Sequence, residues 1–109
     1  MTDEGARALA AAVCVQAIKD YEHLCRELVR GRIMERDGKL VAGPTSRAWR
    51  TPSGQIHRDE VPNYSFAEIE TFFITCAELY ADMNPEIILG YLRRMKGRAM
   101  RTARHKFAK

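Results

Sequence analysis

The sequence lacks the features that mark a membrane or secreted protein. It has no apolar run near the roughly 20 residues needed to cross a bilayer, and its first residues include acids where a signal peptide carries basic charge. We therefore expect a cytoplasmic protein with no membrane partner. The three cysteines, Cys14, Cys25 and Cys76, are odd in number and lie within apolar helical patterns, which favours reduced, buried thiols over a disulfide framework.

The sequence also lacks the residue patterns of a catalytic or metal site. The three histidines, His23, His57 and His105, are scattered along the chain. His23 lies two residues from Cys25, a spacing that points the two side chains to different faces of a helix and cannot clamp a metal. A phosphate-binding glycine motif and a nucleophile elbow are missing as well. We therefore predict a protein that is not an enzyme and needs neither a metal nor a cofactor.

Acidic residues are missing from the last part of the chain. Residues 93–109 contain eight of the 18 Lys and Arg residues and none of the 14 Asp and Glu residues, so the net charge of +4 hides a strong segregation. Such a basic block is typical of contact with a polyanion or an acidic partner. A solvated face that complements the helix dipole would explain two or three of these cations, but not eight. The predicted contacts with an anionic partner are Arg93, Arg94, Arg98, Arg101, Arg104 and Lys106.

What is present is helical periodicity within one domain, residues 1–109. Cys14, Ile18, Tyr21, Cys25 and Leu28 recur at steps of three and four, which predicts a first helix over residues 3–34 with this stripe buried. The opposite face is interpreted as solvated, and it carries Lys19, Asp20, Glu22, Arg26, Glu27 and Arg30.

Two start signals predict the remaining helices. Ser65 followed by Glu68 fits a capping box, which indicates a second helix over residues 65–81. Asn84, Pro85 and Glu86 supply an Asn cap, a Pro at the first helical position and a favourable carboxylate, which indicates a third helix over residues 84–105. The second helix should bury one face made of Ile69, Phe72, Phe73, Cys76, Leu79 and Tyr80.

Residues 35–64 form an insertion between the first two helices. The Asp37-Gly38 pair predicts a two-residue hairpin, and a second turn at residues 52–54 offers another short ribbon. The predicted fold is therefore mainly α, a three-helix domain with a small β-ribbon or loop insertion. This insertion mixes cations with aromatics, a combination that stacks bases or anchors a protein partner, although Trp49 and Tyr64 would serve equally well to cover the core. The candidate residues are Arg47, Trp49, Arg50, His57, Arg58 and Tyr64.

Three segments of the chain resemble a known group of proteins. The segments are AIKDYEHLCREL at residues 17–28, EIETFF at residues 68–73 and DMNPEIILGYL at residues 82–92. Together they resemble small uncharacterised helical proteins encoded by bacteriophages and prophages, over about half of the chain. The resemblance implies a mobile-element setting, in which small proteins regulate transcription or disable host immunity by binding a nuclease, a nucleic acid or a nucleotide messenger. The insertion and the basic tail depart from the short form of that pattern.

These observations favour a binding protein, with three alternatives for its partner. The leading interpretation is a phage-type accessory or anti-defence protein, an inhibitor of host immunity that contacts nucleic acid or a nucleic-acid-binding host protein through its Arg-rich last helix. The second is a protein–protein inhibitor or assembly module that uses Trp49 and its neighbours. The third is an oligomer that sequesters a nucleotide. A chain of 109 residues with broad apolar stripes on two helices is also expected to self-associate.

Overall fold

The computed structural model describes residues 3–78 and 84–107. Its elements in chain order are the helix α1 (Asp3–Arg30), the strands β1 (Ile33–Arg36), β2 (Lys39–Ala42), β3 (Ala48–Arg50) and β4 (Ile56–Arg58), and the helices α2 (Phe66–Glu78) and α3 (Pro85–Phe107). The mainly α fold with a small β insertion between the first two helices is therefore confirmed. None of the described helices has the length and apolar character needed to cross a bilayer.

The first helix ends four residues before the predicted boundary. Gly31 adopts a left-handed conformation with a φ of 77°, and its N–H donates to the carbonyl of Leu28 at 3.1 Å. The N–H of Arg32 donates to the carbonyl of Glu27, also at 3.1 Å. These two bonds form a Schellman motif, which ends a helix at a glycine. The prediction of a helix through residue 34 is therefore wrong, and residues 33–36 form β1 instead.

Both predicted ribbons are present as antiparallel hairpins. In the first, Arg36 pairs with Lys39 around a two-residue turn, and Asp37 and Gly38 have φ values of 54° and 78°. Positive φ at both central positions is the requirement of a type I′ turn, which matches the twist of the flanking strands. In the second hairpin, β3 pairs with β4 around the loop of residues 51–55.

The three helices pack so that α1 contacts both α2 and α3. The ring of Phe66, at the start of α2, packs edge-on against Tyr21 of α1 with a centroid distance of 4.8 Å. Lys96 of α3 lies over the same Phe66 ring at 4.6 Å, and Arg93 of α3 forms an ion pair with Glu70, one turn further along α2. Residue numbers thus rise along α2 as they fall along α3, so these two helices are antiparallel.

The orientation of α1 follows from a second contact with α2. Cys76, near the end of α2, lies beside Cys14, whereas the start of α2 lies beside Tyr21. The helices α1 and α2 are therefore also antiparallel, which makes α1 and α3 parallel neighbours. The buried core between the helices and the first hairpin consists of Cys14, Ala17, Tyr21, Leu24, Cys25, Leu28, Ile33, Phe66, Ile69, Phe73, Ala77, Leu89, Leu92 and Ala99.

Two predictions about burial are wrong. Phe72 is 54% exposed although it was placed on the buried face of α2, because the buried positions centre on Phe66, Ile69 and Phe73 and leave Phe72 at the edge. Glu27, assigned to the solvated face of α1, is only 8% exposed. Its carboxylate lies near two guanidinium groups, which offset the cost of its burial, at 3.8 Å from Arg30 and 3.6 Å from Arg32. The imidazole of His23 lies 3.9 Å from the same carboxylate.

The other residues predicted to be buried include the end of the second helix and the three cysteines. Leu79 and Tyr80, predicted on the buried face of the second helix, lie outside the described residues. The three cysteines are free thiols, as predicted. Cys14 and Cys25 are buried but Cys76 is only half-buried. Burial raises the pKa of Cys14, and it raises the pKa of Cys25 to about 11, so both thiols stay protonated at neutral pH.

The molecule is elongated. Its Cα radius of gyration is 17.0 Å, whereas a compact chain of this length has about 13 Å. Among the described elements, the second hairpin pairs only with itself, while β1 of the first hairpin packs on α1. The residues of β3 and β4 are all exposed. The second hairpin is therefore an arm attached to the helical body.

Candidate functional site

The cap of α3 fixes where the helix begins, and its buried residues determine which side of the helix carries the exposed arginines. The side chain of Asn84 caps the helix, because its Oδ1 accepts a hydrogen bond of 3.0 Å from the N–H of Glu86. The predicted Asn cap is therefore confirmed. The buried residues of α3 are Leu89, Leu92 and Ala99, which direct one face toward α1 and α2. The arginines at other positions of the 3.6-residue period must then face away from the core.

Three of the predicted arginines form one exposed stripe. Arg94, Arg98 and Arg101 follow each other at steps of four and three, so their side chains lie on one face of α3. All three are exposed, and no carboxylate in residues 3–78 and 84–107 forms an ion pair with them. They border a surface cleft of about 380 Å³. We call these residues the arginine stripe.

The other predicted cations of α3 have different surroundings. The guanidinium of Arg93 donates to a carboxylate oxygen of Glu70, and this hydrogen bond raises the pKa of Arg93. Arg93 therefore joins α3 to α2 and is already partly neutralised. Arg104 lies on another side of α3, where it lines a cavity of about 580 Å³ beside the first hairpin. The Nζ of Lys106 lies 5.3 Å from the ring centroid of Phe107.

Arg26 and Arg30, which the sequence pattern predicts only as part of the solvated face of α1, belong to the same basic surface. They line a groove of about 400 Å³ between α1 and α3, and Arg98 of the arginine stripe lines its other side. The apolar residues Val29 and Met95 also line this groove. The parallel packing of α1 and α3 is the reason that arginines distant in sequence become neighbours. The one signal in the sequence was the four-residue spacing of Arg26 and Arg30.

The arginine stripe continues into exposed apolar residues toward the start of α3. Tyr91 precedes Arg94 by three residues and Arg98 by seven, so it lies on the same face of the helix. Its side chain is 47% exposed, and Ile87, one turn earlier, is 70% exposed. A single face of α3 therefore carries two exposed apolar side chains near the start of the helix and the arginine stripe beyond them.

The candidate residues of the insertion divide between the two faces of the second hairpin. Trp49 pairs with His57 across the strands, and their rings stack with a centroid distance of 5.9 Å and an interplanar angle of 18°. Arg50 and Arg58 occupy the alternate positions and therefore project from the opposite face. Trp49 is 50% exposed, so it does not cover the helical core. The predicted mixture of aromatics and cations on one surface is thus separated into an aromatic face and a cationic face.

Arg47 and Tyr64 lie outside these two faces. The backbone N–H of Arg47 donates to Asp59 Oδ2 at 2.9 Å, which closes the base of the hairpin. Tyr64 packs against the core and lines a cleft of about 510 Å³ between α1 and α2, together with Phe72. Burial raises the pKa of Tyr64. The core-covering alternative therefore applies to Tyr64 and not to Trp49.

Within residues 3–78 and 84–107, no group of three or more His, Cys, Asp or Glu side chains is placed to hold a metal ion. No protein-family model, curated protein or solved structure matches the chain. The resemblance to phage and prophage proteins therefore stays a prediction.

Proposed function

We propose that this protein binds nucleic acid through the arginine stripe of α3, and that it acts as a non-enzymatic accessory or anti-defence protein of phage type. The observation that carries the proposal is the arginine stripe itself, three exposed guanidinium groups on one helix face without a carboxylate partner among the described residues. An exposed row of unpaired cations is stabilised when it meets a polyanion, since their contact releases condensed counterions from the nucleic acid.

The spacing of the arginine stripe suits a phosphate backbone. A rise of about 1.5 Å per residue separates Arg94 from Arg98 by about 6 Å along the helix axis, and Arg98 from Arg101 by about 4.5 Å. Guanidinium groups at this spacing reach successive phosphates and donate charge-assisted hydrogen bonds to them. The ion pairs of Arg93 with Glu70 and of Lys96 with Glu35 leave the stripe free, because they anchor α3 from its other side.

The proposal is tested by changing Arg94, Arg98 and Arg101 together to Gln. We expect weaker binding of labelled oligonucleotides in fluorescence anisotropy, with a smaller salt dependence. Counterion release contributes a slope of about −0.9 in log affinity against log salt for each duplex phosphate neutralised, so the slope should flatten by about 2 to 3 units. A parent protein that binds neither DNA nor RNA at about 50 mM salt would defeat the proposal.

A matched control removes the same charge elsewhere. Arg7, Lys19 and Arg36 are exposed and lie off the arginine stripe. Their combined change to Gln lowers the net charge equally, so any loss that it causes measures the effect of overall charge alone. Both triple variants should keep the far-UV circular dichroism and melting temperature of the parent, since none of the six side chains is buried.

The second hairpin supports a different candidate function, an inhibitor or assembly module that binds a protein. The observation in its favour is the half-exposed Trp49 stacked on His57, on an arm that projects from the helical body. A pull-down from bacterial lysate, with and without nuclease treatment, separates the two functions. A partner that survives nuclease and is lost with Trp49→Ala supports the module, because truncating an aromatic anchor costs about 2 kcal/mol or more at an interface.

Self-association and nucleotide sequestration are further proposals. Large apolar side chains remain exposed on α1, α2 and α3, which favours a dimer or higher oligomer. Sedimentation that shows a monomer at tens of micromolar would reject self-association. The same result would reject a nucleotide pocket formed between protomers. The exposed apolar residues of these helices are Leu9, Val15, Phe72, Ile87 and Tyr91.

A further inference from the structure

We infer that the nucleic acid is bound as a single strand along the groove between α1 and α3. In this arrangement Arg26 and Arg30 form one bank of the groove, Arg98 of the arginine stripe forms the other, and Tyr91 stacks on a base. The inference rests on the proposed function and names the form of nucleic acid that the site takes. It is carried by three observations, which are the two banks, the floor between them and the position of Tyr91.

The two banks run side by side because α1 and α3 are parallel neighbours. Packed helices lie about 8–10 Å apart, and Arg26, Arg30 and Arg98 line the same groove. Arg26 has no ion pair with a carboxylate among the described residues, whereas Arg30 lies 3.8 Å from an oxygen of Glu27. Glu27 is also contacted by Arg32 and His23, so Arg30 can turn to a phosphate without leaving that carboxylate alone.

The floor of the groove is uncharged and mostly apolar. It includes Cys25, Val29, Met95 and Ala99, and the pKa of Cys25, raised to about 11 by burial, keeps its thiol neutral. An apolar floor between cationic banks complements a ligand that has charged edges and flat apolar faces. Unpaired nucleotides have this form, while a duplex keeps the faces of its bases inside the stack.

Tyr91 supplies a platform for an unstacked base. Its half-exposed ring lies on the face of the arginine stripe, about 10 Å from Arg98 along the helix axis. Aromatic side chains beside a basic track are the usual means of holding single strands without reading their sequence. Glu22 also lines the groove, one turn before Arg26. Its carboxylate repels a phosphate there and weakens binding at that end.

The test compares a labelled single strand of about 20 nucleotides with its own duplex, in fluorescence anisotropy at about 50 mM salt, a condition in which phosphate contacts are strong. We expect the parent to bind the single strand at least about tenfold more tightly. Changing Arg26 and Arg30 to Gln should weaken single-strand binding by about tenfold, since two phosphate contacts are lost. Tyr91→Leu keeps an apolar side chain but removes the ring, and should weaken binding by about 5-fold or more.

Two further variants sharpen the comparison. Glu22→Gln should strengthen single-strand binding by about 2-fold to 5-fold, because it removes the repelling charge and adds no cation. The matched control changes Arg7 and Lys19 to Gln, which removes two exposed charges of α1 outside the groove, and should alter affinity by less than about twofold. If the double change at Arg26 and Arg30 lowers the melting temperature, Arg26→Gln alone provides the test.

The outcomes separate this inference from the proposed function. Equal binding of single strand and duplex, with no effect of Arg26, Arg30 and Tyr91, overturns the single-strand inference and leaves nucleic-acid binding by the arginine stripe intact. Failure of the parent to bind either form overturns both. Tight binding of an acidic helical peptide in the groove, with loss of that binding in the same variants and no binding of either form of nucleic acid, also overturns both and assigns the groove to a protein partner.

Discussion

Replacing Phe73 with Ala tests whether the side of α2 that carries this residue is the buried side. The Phe73 side chain is fully buried, whereas its neighbour Phe72 is 54% exposed. Removing a buried Phe ring costs about 3–5 kcal/mol, because the transfer free energy is lost and a cavity remains. Small domains have a free energy of unfolding of only about 5–15 kcal/mol. Phe73→Ala should therefore remove a large share of the stability.

Phe72→Ala is the matched control, since it deletes the same ring one position away. Burying a whole Phe side chain contributes about 1.5–3 kcal/mol, so a ring that is half exposed should lose about 1 kcal/mol. Urea unfolding followed by circular dichroism measures both values. With a slope of about 2 kcal/mol per molar urea, Phe73→Ala should lower the midpoint by about 2 M and Phe72→Ala by about 0.5 M.

Equal losses for the two variants would show that the buried face of α2 has been assigned wrongly. A Phe73→Ala variant that melts within about two degrees of the parent would refute the reasoning outright, since a loss of 3 kcal/mol corresponds to about 12 °C or more in a domain of this size. The measurements should be made at two protein concentrations. A Phe72 effect that grows with concentration would place that ring in an interface between copies.

Two further predictions concern single sites in α1 and at its end. Tyr21→Phe should raise the free energy of unfolding by about 1 kcal/mol, because the buried Tyr21 hydroxyl has no hydrogen-bond partner among the described residues. A lower melting temperature for Tyr21→Phe would show that the hydroxyl does have a hydrogen-bond partner. Gly31→Ala should lower the free energy of unfolding more than Gly54→Ala does, although both positions have positive φ. A Cβ at residue 31 would lie 2.5 Å from the Phe107 ring, while one at residue 54 meets nothing within 4 Å. Equal urea midpoints would contradict this packing.

Helix starts and the first turn could be predicted because their causes are local. The Ser65 hydroxyl accepts a hydrogen bond from the N–H of Glu68 at 3.1 Å. The Asn84 side chain likewise accepts one from the N–H of Glu86, two residues later. Such bonds join residues two or three positions apart, so the sequence displays both partners. The Asp37-Gly38 turn is equally local, since it needs only two residues that tolerate positive φ.

The end of α1 and the exposure of Phe72 could not be predicted from periodicity. Gly31 ends the helix where Thr45 donates to the carbonyl of Arg30 at 2.7 Å and the Phe107 ring packs against it. Both partners are distant in sequence. The burial of α2 depends on the angle at which α1 and α3 approach it, and a broad apolar stripe is compatible with more than one such angle.

For the candidate site, the sequence by itself determined that α3 is basic and that most of its arginines lie on the side of the helix opposite Leu92. That conclusion needs only the 3.6-residue period and the charge count. Tertiary structure alone decided which cations remain free and which surfaces they share. Glu70 engages Arg93 from another helix, and the parallel packing of α1 and α3 adds Arg26 and Arg30 to the groove of Arg98. Charges separated by about seventy residues become neighbours only when the core aligns their helices, and no local pattern encodes that alignment.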